Sequence, residues 1–278
     1  MSHIKAYLEL TRPVNAVIAA ASIFIGAFVT GGIEPIWNVI IACLSGMCIA
    51  GGGNAINDYF DTEVDRINHP QRPLPSERAS RIGAFIFSMI LLVTGIRLGF
   101  LLGLETGAIA LCCSIVLFFY SFRFKHIALL GNGLVSFIAS FAFIYGGLAV
   151  GRFGPTLIPA WFAFLFHLGR EIIKDIQDCA GDTTVRAQTL PIRYGQRAAL
   201  IVTSYIFILL IISTIVPFLF RIYGLAYLIV VILGVDIPVM YIIRSMWDDP
   251  GPSNLGRISF ILKLDMLAGL LAIYLGAG

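Results

Sequence analysis

Nine apolar runs, each about as long as a bilayer core is thick, divide this chain, and no other feature restricts its possible folds so strongly. They lie near residues 13-31, 36-57, 80-103, 105-122, 128-150, 156-178, 198-219, 223-243 and 257-276. A hydrocarbon core takes roughly 20 consecutive apolar residues per helix. Continuous runs of this length, without period-2 alternation, exclude a β-barrel and predict helices. Composition agrees: 58% of the 278 residues are hydrophobic, 13% are charged, and mean hydropathy is +0.90. The expected fold is an all-α polytopic membrane protein of about nine transmembrane helices around a central cavity, forming one membrane-embedded domain over residues 1-278. The opening MSHIKAYLELTRP runs into the first apolar segment with no small-residue cleavage site, so a retained first helix is expected. A net charge of +3 gives no footprint for nucleic acid. The five cysteines form no CxxC pair and read as small packing residues.

Charge sets the orientation. With the N-terminus inside, the cytoplasmic side collects fourteen Lys and Arg residues, among them Arg66, Arg72, Arg78, Arg123, Lys125 and Lys174. The opposite side keeps only Arg97, Arg152 and Arg221. The chain is therefore expected in the cell membrane, multi-pass, with its polar helix ends facing the cytoplasm.

Four carboxylates then crowd into NDYFDTEVDR, residues 57-66, at the end of the second run. At 100° per residue, Asn54, Asp58, Asp61 and Asp65 share one helical stripe. Glu171, Asp175, Asp178 and Asp182, at the end of the sixth run, repeat the same offsets 117 residues later. The repetition suggests an internal duplication, with acidic motifs at 54-65 and 171-182. Both runs point toward the same membrane side, so the stripes can face each other across one cavity. Converging carboxylates repel unless a cation neutralises them. Mg²⁺, which takes oxygen ligands from a few carboxylates plus substrate phosphates, is the expected ion, in two or more copies. Basic loops on the same side, with Arg72 in NHPQRPLPS and Arg123 and Lys125 in YSFRFKH, supply groups for phosphate oxygens. Tyr59, Phe60, Phe119 and Tyr120 lie near the same depth, where their ring faces can meet a cation. Asp236, Lys263 and Asp265 sit within apolar runs, where a charge costs about 2.5 to 3.5 kcal/mol, and are expected to pair or to face the cavity.

At these residues the chain resembles the UbiA superfamily of intramembrane prenyltransferases. NDxxDxxxD stands as Asn57, Asp58, Asp61 and Asp65, followed by RPLPS at Arg72 to Ser76. RPxN is Arg12-Pro13-Val14-Asn15, and a YxxxxK element runs from Tyr120 to Lys125. The second motif is Asp175, Asp178 and Asp182, leading into Thr189-Leu190-Pro191. The resemblance implies transfer of a prenyl chain from its diphosphate to an acceptor. Asn57 and the six aspartates would hold metal, and Lys125 would act with them. Arg12, Asn15, Asn54, Asn57, Arg72, Tyr120, Arg123, Glu171 and Lys174 would bind substrate. REIIKDIQDCAGD looks most like the archaeal branch of the superfamily, which implies geranylgeranyl diphosphate as donor and geranylgeranylglyceryl phosphate as acceptor, reached through a cavity open sideways to membrane lipid. A second anionic pocket is then expected near Arg12 or Arg72. An aromatic or quinone-precursor acceptor is the alternative within the superfamily. Outside it, the alternative is a secondary transporter of a phosphorylated metabolite, which would bind near the bilayer midplane rather than at helix ends.

Overall fold

Proline at position 13 decides how the chain enters the membrane. The right-handed helical region is disfavoured for the residue before a proline; α1 (His3–Leu10) ends ahead of it, and Arg12 takes a left-handed conformation at φ 49° and ψ 71° before α2 (Pro13–Phe28) begins. The two helices meet at a 49° bend. Asn54 holds this elbow against the next helix by donating from Nδ2 to the Thr11 carbonyl at 3.0 Å. The computed structural model describes residues 3–277.

The next helix, α3 (Ile36–Asn68), has 33 residues, about 50 Å at 1.5 Å per residue. That exceeds the bilayer core by several turns. The apolar run ends near residue 57, but the helix continues through the acidic motif, so the carboxylates project on a rigid extension of a membrane helix. Glu63 and Arg66 pair across one turn of this extension at 2.8 Å. Then follow α4 (Arg81–Leu102), α5 (Leu104–Phe122), α6 (Leu130–Ala149) and α7 (Leu157–Gln177). Ser80 caps α4 by accepting from the Gly83 N–H at 3.0 Å. After α7 come two short helices, α8 (Cys179–Thr184) and α9 (Leu190–Tyr194), and then α10 (Gln196–Leu219). A span made of α11 (Leu225–Val231), a π-helical turn over Ile232–Asp236 and α12 (Ile237–Asp248) precedes the last helix, α13 (Pro252–Ala277). Among the described residues, eight helical segments are long and apolar enough to cross a membrane, and the bent pair α1–α2 supplies a ninth. No strand occurs among them; the nearest approach is a single bridge between Ile127 and Gln188.

Lipid offers no hydrophobic drive for helix pairing, so contact depends on close backbone approach and polar links. A side chain at Gly26 of α2 would strike the Phe143 carbonyl of α6 at 2.1 Å, and one at Gly146 would strike the Ile23 carbonyl at 1.8 Å. Glycine at both places lets α2 and α6 touch main chain to main chain. Gly51, Gly52 and Gly53 are buried where α3 meets its neighbours, and a Cβ at Gly52 would meet Leu92 of α4 at 2.9 Å. Ser45 and Ser88 add hydrogen bonds between α3 and α4, to the carbonyls of Gly95 and Gly52 at 2.7 and 2.8 Å. The largest apolar core joins α7, α10, α11 and α13 around Phe166, Phe207, Tyr227 and Ile258. Within it Asp236 accepts from the Thr214 hydroxyl at 3.0 Å, as its cost in lipid requires, whereas Oδ2 of Asp265 is buried without a partner. The cysteines are free thiols; four are half-buried, and Cys112 faces outward.

Candidate active site

Six helices, α2, α3, α5, α6, α7 and α13, wall a cavity of about 490 Å³. Its inner part is apolar, with Ile18, Ile49, Leu117, Ile138 and Met266 on the walls. Its polar end gathers residues from both acidic motifs and from the elbow: Arg12, Asn15, Asn54, Asn57, Arg72, Tyr120, Glu171, Lys174 and Asp178. Local geometry accounts for several of these. The left-handed turn at Arg12 sends its guanidinium onto α3, where Nη2 meets Asp58 at 2.5 Å. Arg72, in the proline-stiffened loop after α3, turns back onto both oxygens of Asp65 at 2.7 and 2.8 Å and lies 3.6 Å from Asp58. Lys125, in the 3-10 turn Phe124–His126 after α5, pairs with Asp61, which also accepts from Asn57 at 2.9 Å. Every aspartate of the first motif therefore has a basic partner.

The second motif departs from the single stripe expected from its spacing. Helix α7 stops at Gln177, Asp178 forms the junction, and α8 starts at Cys179. Asp182 is thus carried on a separate short helix. Asp175 accepts from Asn132 of α6 at 2.8 Å, and Asp178 lies 3.4 Å from His69. Glu171 is held between Arg170 at 2.8 Å and Lys174 at 3.0 Å. Asp182 makes no side-chain hydrogen bond or ion pair among the described residues. Burial first, then the charges of Asp178 and Asp61, push its carboxyl up to about 7.

Asn68, the last residue of α3, joins the two motifs. It donates from Nδ2 to the Asp178 carbonyl and accepts from the Gly181 N–H, both at 3.0 Å. A side chain at Gly181 would meet Asn68 at 2.5 Å, so this close joint needs glycine there. Sequence reading missed Asn68 because its partners lie more than a hundred residues away. It also missed Asn132, Arg170, His69 and Ser259, the last three of which line the cavity. Lys263 faces the cavity, one of the two outcomes expected of a charge in an apolar run. Arg123 is exposed at the end of α5, outside the cavity lining. Of the four aromatics expected to face a cation, Tyr120 alone lines the cavity. Tyr59 lies under Arg81, Phe60 packs on Phe118 and Phe122, and Phe119 is exposed.

The donor set suits a hard divalent cation, which needs few carboxylates when phosphate oxygens and water complete its shell. Among the described residues no three acidic, His or Cys side chains converge on one point as a ready cage. Arg12, Arg72 and Lys125 instead neutralise the first motif, while Asp182 has no paired cation and is offset only at longer range by Lys125 and Lys174. Residues so arranged fit a metal that arrives with an anionic substrate, since that anion gives the bound arginines and lysine a second partner.

Comparison with known proteins agrees with this geometry. A model described as the UbiA prenyltransferase family matches residues 19–263. The digeranylgeranylglyceryl phosphate synthase of Methanothermobacter thermautotrophicus is 33% identical over 275 residues, which cover 98% of this chain and 96% of that one. A solved structure concerning digeranylgeranylglyceryl phosphate synthase in membranes superimposes with a TM-score of 0.76 at 32% identity, covering 100% of this chain and 99% of its own. A UbiA homolog from Archaeoglobus fulgidus, solved with GPP and Mg²⁺, has the same fold, with a TM-score of 0.70 at 20% identity over 96% of this chain and 99% of that one.

Proposed function

The chain belongs to the UbiA prenyltransferase family, and we propose that it transfers a geranylgeranyl group from geranylgeranyl diphosphate to the free hydroxyl of geranylgeranylglyceryl phosphate, a step of archaeal ether-lipid synthesis. The observation that carries this reading is the junction of two acidic helix ends, tied by Asn68, at the polar end of a cavity whose inner walls are apolar. Such a cavity suits an amphiphile with an anionic head and an isoprenoid tail. A relative that shares a third of its residues over nearly the whole chain supports the choice of acceptor. The crowd of Arg and Lys at the acidic ends supports a cytoplasmic-facing site.

Asn57 with Asp58, Asp61 and Asp65, and Asp175, Asp178 and Asp182 opposite, would hold two or more Mg²⁺ ions. Bound there, the metal supplies Lewis-acid stabilisation of the departing diphosphate. Arg12, Arg72 and Lys125 spread the same negative charge through charge-assisted hydrogen bonds as they exchange carboxylate for phosphate oxygens. The C1–O bond to the diphosphate breaks, and the allylic cation is shielded from water by the apolar walls. Tyr120 offers its ring to that cation, a contact worth about 0.5 to 2 kcal/mol. The acceptor oxygen bonds to C1 and its proton passes to a neighbouring carboxylate. Nothing in the sequence or the fold requires a stronger base, because attack follows ionisation.

Incubation of the purified protein with radiolabelled geranylgeranyl diphosphate and a panel of acceptors tests the reading directly. Doubly prenylated glyceryl phosphate is the expected product. Efficient prenylation of 4-hydroxybenzoate, with none of the glycerol lipid, would overturn the acceptor while leaving the family chemistry intact.

A further inference from the structure

On the wall formed by α7 and α13 the cations and carboxylates are unevenly paired. Opposite it, Arg12, Arg72 and Lys125 stand against Asp58, Asp65 and Asp61 of α3, three cations for three carboxylates. On α7, Glu171 alone is shared by Arg170 and Lys174, while Asp175 turns to Asn132 and Asp178 lies near His69. Nε of Arg170 is buried with no acceptor. On α13, Lys263 lines the cavity, half-buried, and takes part in no ion pair among the described residues. Arg170 and Lys174 on the same wall, and Arg12 and Arg72 facing it, act on Lys263 as like charges. Ser259, one helical turn before it, opens onto the same space.

A lysine in an apolar helix, facing other cations, is costly unless an anion joins them. Arg170 and Lys174 share Glu171 and Lys263 has no ion pair among the described residues, so the three can serve a phosphate monoester, which carries a charge of about −1.5 to −2 near neutral pH. The donor diphosphate has its own cations, Arg12, Arg72 and Lys125, each already placed by an aspartate of α3. The expectation of a second anionic pocket near Arg12 or Arg72 therefore shifts to the opposite wall.

We infer that Arg170, Lys174 and Lys263 form the subsite for the acceptor's phosphate group, with Lys263 as a residue that sets preference for phosphorylated acceptors. The inference rests on the proposed acceptor. It implies that the two anionic heads dock on opposite walls and that their tails share the apolar inner cavity.

Replacing Lys263 with Met keeps the length of the side chain and suits a lipid-spanning helix, and Lys263→Arg restores the charge. Steady-state kinetics with geranylgeranylglyceryl phosphate and with its phosphate-free alcohol, each at varied donor concentration, reads the subsite. Lys263→Met should raise the KM for the phosphorylated acceptor at least about tenfold, the low end for a lost hydrogen bond to a charged group. The donor KM should move less than about twofold, and preference for phosphate over alcohol should fall by the same tenfold or more. Lys263→Arg should recover most of that preference. A donor KM that rises as much as the acceptor KM, or an unaltered preference, would overturn the inference. If Lys263→Met fails to fold, Lys263→Gln provides the same comparison. A wild-type protein that prenylates neither glycerol lipid would instead sink the acceptor assignment, and this inference with it.

Discussion

The two acidic motifs share one spacing but not one condition. The first lies on an unbroken helix, and each of its aspartates is held by Arg12, Arg72 or Lys125. The second spans a helix break at Asp178; Glu171 is held by Arg170 and Lys174, but its aspartates have neutral or weak partners in Asn132 and His69, with Asp182 unpaired. A charged group made by its neighbours into a rigid lattice is ready before substrate arrives. A charged group left without compensation waits for a cation. The contrast suggests that the first motif orients the diphosphate through its arginines and lysine, while the second supplies the less constrained ligands that complete the metal shell.

The most severe test of that contrast is removal of metal. Excess EDTA should abolish product formation, and Mg²⁺ or Mn²⁺ should restore it, because the second motif lacks cations that would let it approach a diphosphate and the leaving group needs the metal's Lewis acidity. Undiminished turnover in chelator would remove metal from both motifs. Single substitutions then separate them. Asp61→Ala and Asp178→Ala should each lower kcat at least about 100-fold, roughly 2.7 kcal/mol of transition-state stabilisation. Circular dichroism should report intact helix content in both variants, and near-normal turnover in either would exclude its motif from the metal site.

A smaller effect is expected at the joint. Asn68→Ala removes two hydrogen bonds between α3 and the α7–α8 junction, each worth about 0.5 to 1.5 kcal/mol. Turnover should fall on the order of tenfold, with an increased Mg²⁺ requirement as the two motifs lose register. An unchanged metal requirement would show that register is set elsewhere. The least effect concerns stability. In chelator, Asp182→Asn should raise the melting temperature at pH 8, because it removes a half-buried, repelled charge. Asp182 titrates near 7 in the folded state, above its unfolded value, so the wild type loses stability as pH rises through that window. The gain should therefore shrink toward pH 5, where wild-type Asp182 is already protonated. A gain that does not vary with pH would point to packing rather than charge.

Much of this architecture was legible in the sequence because its signals are local. Apolar windows gave the spans, and four-residue offsets placed Asn54, Asp58, Asp61 and Asp65 on one stripe of α3. The same arithmetic failed at Asp178, where spacing alone does not reveal that α7 stops and α8 turns Asp182 aside. The apolar run ended near residue 57 although α3 continues to Asn68, since hydropathy records the solvent and not the helix. The pairings of Arg12 with Asp58 and of Asn68 with Asp178 depend on how distant helices rotate against one another, which no window contains. Lys263 was visible as a misplaced charge, but the wall it belongs to emerged only when α13 packed beside α7.

The cavity has a consequence for how this protein meets its substrates. About 490 Å³ falls within the range that encloses a single drug-sized ligand. Two geranylgeranyl chains with their phosphorylated heads exceed it, so part of the combined tail volume must remain among the surrounding acyl chains during turnover. The bilayer then acts as part of the reaction vessel. Rates should follow the mole fraction of substrate in the membrane rather than its bulk concentration, and diluting both substrates with inert lipid at constant total amount should slow the protein as a competitive inhibitor would.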